Sequence, residues 1–160
     1  MLDIYILCEY NIHMMNMKRR LFLVIASLIC LISGLIIYIF LREGTFIHLF
    51  FEKNFFVREI SAFSADNFFV SFLKYYFVDY LWCVSLSFLL TAISYEISFR
   101  KIVFISVSSS LFGILLEAAQ FFSVINGTAD FIDVSMYVAA GVFSAAFNIV
   151  IFNKALSRRE

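Results

Sequence analysis

The sequence contains no proline, so none of its long apolar stretches carries the residue that most strongly breaks a helix. Continuous helices are therefore expected, and Gly34, Gly113 and Gly141 are the positions where a kink stays open. Charged residues are also scarce, at 15% of the chain, and twelve basic residues balance twelve acidic ones. Because this balance gives no general positive field, no nucleic-acid partner is expected.

Cysteine and histidine are too few and too scattered to form a familiar metal site. The three cysteines, Cys8, Cys30 and Cys83, show no CxxC or Cys/His spacing, and His13 and His48 lie far apart. Neither a zinc site nor a disulfide framework is indicated, and no metal or other cofactor is expected. No Ser/His or Cys/His pairing supports a hydrolase.

Most of the chain consists of apolar residues. The chain is 63% hydrophobic and 19% aromatic, with a mean hydropathy of +0.95, which is more than a soluble domain of 160 residues could bury. Four apolar segments approach the roughly 20 residues that a helix needs to cross a bilayer. We therefore predict an all-α polytopic protein with a single membrane domain and transmembrane spans at residues 21–41, 76–94, 102–122 and 134–152.

Two regions outside these spans have their own predictions. Residues 1–16 carry no recognisable motif, and Met14, Met15 and Met17 are alternative starts, so we interpret this segment as a disordered extension or as sequence upstream of the true start. Residues 17–20, MKRR, resemble the basic start of a signal sequence, and the long apolar run behind them favours an uncleaved anchor. The aromatic loop at 44–69 is interrupted by charges and predicts short interfacial helices.

The basic residues predict the orientation of the spans. Cytoplasmic segments of membrane proteins are enriched in Lys and Arg close to the span ends. Placing both termini in the cytoplasm puts eight basic residues inside and four outside, and the inverted topology is the alternative. The inside residues are Lys18, Arg19, Arg20, Arg100, Lys101, Lys154, Arg158 and Arg159, and the outside residues are Arg42, Lys53, Arg58 and Lys74.

One polar stretch, EAAQFFSVINGTADFID, joins the third and fourth spans. Glu117 and Gln120 share a helix face near the end of the third span, the pair Asn126-Gly127 is typical of a turn, and Asp130 and Asp133 lead into the fourth span. A carboxylate inside the hydrocarbon region is costly unless it faces the bundle interior or a wet cavity. This spacing predicts a polar site at the extracytoplasmic side.

Asp79, at the start of the second span, is expected at the same depth, so three helices contribute to the predicted site. Structural roles are open for the same residues. Asp130 or Asp133 is expected to cap the fourth helix. Glu117 and Gln120 are alternatively a hydrogen-bonding pair between helices, and Asp79 alternatively marks the membrane boundary.

The pattern Glu117-x-x-Gln120, a short loop, Asp130, Asp133 and Gly141 resembles the VanZ-like family of small bacterial membrane proteins. The resemblance covers about the last third of the chain, and the family has an Arg in the loop and an Asn in the following helix. Here Thr128 stands near the place of the Arg, and Tyr137 stands in the place of the Asn.

The resemblance implies a multi-pass protein of the bacterial inner membrane with a polar site at the outer leaflet, concerned with the cell envelope or the response to glycopeptide antibiotics such as teicoplanin. The motif supplies no biochemical activity and no catalytic residue, and the protein is expected not to be an enzyme. Membrane lipids are the expected partners, and the site would bind a lipid headgroup, a cell-wall precursor or another membrane protein. The candidate site residues are Asp79, Glu117, Gln120, Asp130, Asp133 and Tyr137.

Two other function classes stay open at this point. The first is a membrane enzyme whose carboxylates hold a divalent cation, since hard cations prefer oxygen ligands and Asp130-x-x-Asp133 has a usable spacing. The second is a small proton- or cation-linked transporter that uses Glu117. A single four-helix unit without an inverted repeat would have to assemble into oligomers to work as such a transporter.

Overall fold

The computed structural model describes residues 2–41, 68–94, 97–125 and 129–156, and of residues 2–16, 40 and 154–156 it describes the backbone alone. These residues are almost entirely helical and include no strand. They form four long helices: α1, Leu2–Leu41; α2, Phe68–Ile93; α3, Phe99–Phe121; and α4, Phe131–Leu156. All four are long and apolar enough to cross a membrane, which confirms the predicted all-α, multi-pass architecture.

The helix ends differ from the predicted span ends. α2 begins at Phe68 because a π-helical turn, Leu73–Phe77, continues the helix through the charged residue Lys74. α4 begins at Phe131, and α1 extends back to Leu2. The position of the native start stays a prediction. The predicted interfacial helices and the turn at Asn126-Gly127 lie outside the described residues.

α2 occupies the centre of the bundle and contacts α1, α3 and α4. α1 is antiparallel to α2, and the two helices are joined where the hydroxyls of Ser27 and Ser85 each donate to the other residue's carbonyl oxygen, at 2.9 and 3.0 Å. α2 runs parallel to α4, and α3 is antiparallel to both. This is the arrangement that four consecutive membrane crossings require.

On α3, most of the buried side chains are small or polar, and large apolar side chains face outward. The buried stripe of α3 includes Ser106, Ser110, Gly113 and Glu117, whereas Phe104, Leu111 and Leu115 are exposed. Small residues let membrane helices approach closely, and lipid covers the apolar exterior. This inverted distribution is a further sign that the surrounding solvent is a bilayer.

A row of aromatic rings links α1, α2 and α4, with Phe88 buried and Phe22 and Phe143 exposed at its edges. The Phe88 and Phe147 rings are stacked with centroids 5.1 Å apart, and Phe143 stacks on Phe147 at 5.7 Å. Phe22 of α1 stacks on the same Phe147 ring at 6.4 Å. These contacts supply the dispersion energy that holds apolar helices together where lipid offers no hydrophobic driving force.

Candidate functional site

Asp130 caps the N-terminus of α4. Its Oδ1 accepts a hydrogen bond from the backbone N–H of Ile132 at 3.0 Å, and its carbonyl accepts from the backbone N–H of Val134 at 3.4 Å. The first N–H groups of a helix have no partner within the helix, and an Asp side chain satisfies one of them. The prediction that one of the two aspartates caps this helix is confirmed.

Glu117 joins the end of α3 to the start of α4. Its side chain is buried, at 6% exposure, and Oε2 accepts a hydrogen bond from the backbone N–H of Asp130 at 3.3 Å. A negative charge is also favourable beside the positive end of α4. A carboxylate that would be costly inside an apolar bundle is therefore held by a partner and by a helix dipole.

Tyr76 brings α2 to the same place. Its hydroxyl donates to Oδ2 of Asp130 at 3.1 Å. Tyr76 lies in the π-helical turn Leu73–Phe77, and such turns occur frequently at functional sites because the extra residue changes which side chains face inward. Asp130 thus receives hydrogen bonds through both carboxylate oxygens and connects three parts of the bundle.

A second polar contact joins α2 and α4 next to this one. The hydroxyl of Tyr137 is hydrogen-bonded to the side chain of Asp79, and the carboxylates of Glu117 and Asp133 lie near enough to act electrostatically on the same hydroxyl. Asp133 lies in the first turn of α4 and is half-buried. We refer to Asp79, Glu117, Asp130 and Asp133 as the carboxylate cluster.

Tyr137 packs against small residues of α3. Its ring packs directly against Gly113, and a Cβ at Gly113 would overlap the ring carbons. Its carbonyl oxygen accepts hydrogen bonds from Ser110 Oγ at 2.8 Å and from Cys83 Sγ at 3.9 Å. These contacts bury Tyr137 to 8% exposure and hold its hydroxyl next to the carboxylate cluster.

The structure brings five of the six candidate residues together, namely Asp79, Glu117, Asp130, Asp133 and Tyr137. Gln120 is half-buried one turn beyond Glu117, and its described contact is made by the backbone, where its carbonyl accepts from Ser123 N–H at 2.9 Å. Whether these residues bind a ligand stays a prediction.

A tight cap ends α3 above the cluster. Ser123 has a φ of 57°, in the left-handed region, and Val124 N–H donates to the Ala119 carbonyl at 2.8 Å. With the bond from Ser123 N–H to the Gln120 carbonyl, these contacts form a Schellman motif, in which glycine is the usual left-handed residue. The cap turns the chain away from α3 directly after the face that carries Glu117.

Among the described residues, no group of three or more His, Cys, Asp or Glu side chains is arranged to hold a metal ion. The oxygens of Asp130 are directed at Ile132 and Tyr76 instead.

Sequence reasoning missed Tyr76, Gly113 and Ser110, although each has a defined role at the site. Gly113 and Ser110 do carry a periodic signal, because Ser106, Ser110, Gly113 and Glu117 fall on one face of α3. Tyr76 had no such signal, since a π-helical turn changes the periodicity from which its direction would be inferred.

Comparison of the chain with known protein families, with curated proteins and with solved structures found no match.

Proposed function

We propose that this chain is a VanZ-like protein of the bacterial inner membrane, with both termini in the cytoplasm, that binds a cationic group at its extracytoplasmic end. Binding there would contribute to the response of the cell envelope to glycopeptide antibiotics. The observation that supports the proposal best is that four carboxylates from α2, α3 and α4 gather at one end of a bundle that is otherwise apolar.

The chemistry of the carboxylate cluster favours a ligand that carries an ammonium group. Carboxylates attract cations and form strong charge-assisted hydrogen bonds with ammonium groups. At the outer leaflet, such a group is available on an amine-bearing lipid headgroup, on a cell-wall precursor or on a basic segment of another membrane protein. No catalytic step is needed for this role.

A growth experiment tests the envelope role. Strains with the gene, without it, and with Glu117→Gln or Asp133→Asn are compared across teicoplanin concentrations, with Ser135→Ala as the control. Ser135 is exposed on the first turns of α4, and among the described residues its hydroxyl bonds to the Ile132 carbonyl of the same helix. We expect the deletion and both carboxyl variants to change sensitivity and the control to match wild type. Equal sensitivity in every strain would reject the envelope role.

Cysteine labelling tests the orientation. In a background without Cys8, Cys30 and Cys83, single cysteines are placed at Val124, which is exposed after α3, and at Asn153, which is exposed near the end of α4. A membrane-impermeant maleimide added to intact cells should label Val124→Cys and should reach Asn153→Cys only after the cells are opened. The reverse pattern would place the carboxylate cluster at the cytoplasmic face and remove the proposed ligands of the outer leaflet.

A further inference from the structure

Two polar side chains on α4 have atoms that are buried without a hydrogen-bond partner. Ser144 and Asn148 are both fully buried, and neither Ser144 Oγ nor Asn148 Oδ1 makes a hydrogen bond to the residues that the structure describes. The two residues are one helical turn apart on the same face. Polar atoms in a low-dielectric interior carry a desolvation cost when they are left unpaired, so an unpaired hydroxyl beside an unpaired amide oxygen calls for a partner.

Hydrogen-bonded polar groups of α2 and α3 lie close to Asn148 along the bundle. Asn148 Nδ2 donates to Thr91 Oγ1 at 3.1 Å, and Thr91 Oγ1 donates to the Ser87 carbonyl at 2.8 Å. Because α2 and α4 are parallel, Ser144 lies level with Ser87, one turn before the Asn148–Thr91 contact. Ser87 Oγ is in turn 3.2 Å from Ser106 Oγ of α3. The Ser87–Ser106 pair and the Thr91 hydroxyl therefore lie on the faces of α2 and α3 that meet α4 at this level.

We call the contact region between Ser87, Thr91, Ser106, Ser144 and Asn148 the seam. We propose that the seam binds a water molecule that accepts a hydrogen bond from Ser144 Oγ–H and donates one to Asn148 Oδ1. A buried water usually makes about three hydrogen bonds, and the Ser87 and Ser106 hydroxyls supply further partners. A neutral molecule suits the seam because its described side chains, Ser87, Thr91, Ser106, Ser144 and Asn148, carry no charge that would balance an ion. The water would tie α4 to α2 and α3 in the half of the bundle opposite the carboxylate cluster.

Water-edited solid-state NMR of the labelled protein in bilayers tests the proposal directly. Magnetisation from water should reach the Ser144 and Asn148 side chains rapidly, and Ser144→Ala should weaken the transfer to Asn148. Ser109 is the control, because it is buried to a similar degree and its hydroxyl already donates to the Ile105 carbonyl at 3.0 Å. Transfer to Ser144 and Asn148 that is as slow as transfer to Ser109 would overturn the proposal.

Thermal unfolding provides a second measurement. Ser144→Ala should lower Tm more than Ser109→Ala does, because it removes a partner of the bound water. A Tm equal to or above that of wild type would mean that the hydroxyl has no partner to lose, and would contradict the proposal. A lowered Tm without transfer from water would mean that Ser144 and Asn148 bond to each other, which also contradicts it.

Discussion

Glu117 and Asp130 are joined through a hydrogen bond from the Asp130 backbone N–H to Glu117 Oε2, 3.3 Å long. The bond connects the last turn of α3 to the first residue before α4. The bond gives the buried Glu117 carboxylate a structural role in addition to any role in binding. Substitutions at Glu117 should therefore change both the stability of the protein and ligand binding, to different extents.

Substitutions at Glu117 separate hydrogen bonding from charge. Glu117→Ala should lower the free energy of unfolding by about 1.5 to 3 kcal/mol, since it removes a charge-assisted bond and leaves the Asp130 N–H unpaired. Glu117→Gln should lower it less, because the amide oxygen can still accept that bond. Both values can be measured by reversible unfolding in mixed bicelles. Equal losses for the two variants would show that the charge, and not the hydrogen bond, stabilises the fold.

Tyr76→Phe should lower the free energy of unfolding by about 1 kcal/mol, because it removes the hydrogen bond to Asp130 Oδ2 and keeps the ring. Tyr75→Phe is the matched control: Tyr75 is exposed at the neighbouring position, and its ring contact with Lys74 does not need the hydroxyl. Unfolding in bicelles compares the two variants. The prediction is wrong if the Tyr75 variant loses as much stability as the Tyr76 variant.

Gly113→Ala should cost about 1 to 3 kcal/mol, because the added methyl group would overlap the Tyr137 ring. In a helix without such a contact, Gly→Ala would be stabilising. Gly113→Ala should cost less in a Tyr137→Ala background than in the wild-type protein, since the smaller side chain at 137 leaves space for the added methyl group. A double-mutant cycle measures this coupling, and additive effects would contradict the packing argument.

Ser123→Gly should raise the free energy of unfolding by up to about 1 kcal/mol, because glycine adopts the left-handed conformation of Ser123 without the steric cost of a Cβ. Ser135→Gly, inside helix α4, should have the opposite sign, because glycine is a poor helix former. Thermal unfolding of both variants checks the signs. A destabilising Ser123→Gly would mean that the cap does not form in the membrane.

The sequence by itself determined the all-helical class, the membrane as the expected solvent and the number of span-length helices. Hydropathy and length suffice because an apolar run of about 20 residues has few stable places other than a bilayer. A shared level for Asp79, Glu117, Asp130 and Asp133 was predicted by counting residues to the span ends, but α2 begins at Phe68, so Asp79 lies inside its helix and not at the start.

Only the tertiary structure decided which of these residues meet and what they bond to. The Tyr76–Asp130 and Tyr137–Asp79 contacts depend on the rotation of α2 and α4 about their axes. That rotation is set by packing details such as the π-helical turn and the fit of Tyr137 on Gly113. The unpaired atoms of Ser144 and Asn148 could likewise not be predicted from the sequence, because the hydrogen bonds of a buried side chain depend on neighbours from other helices.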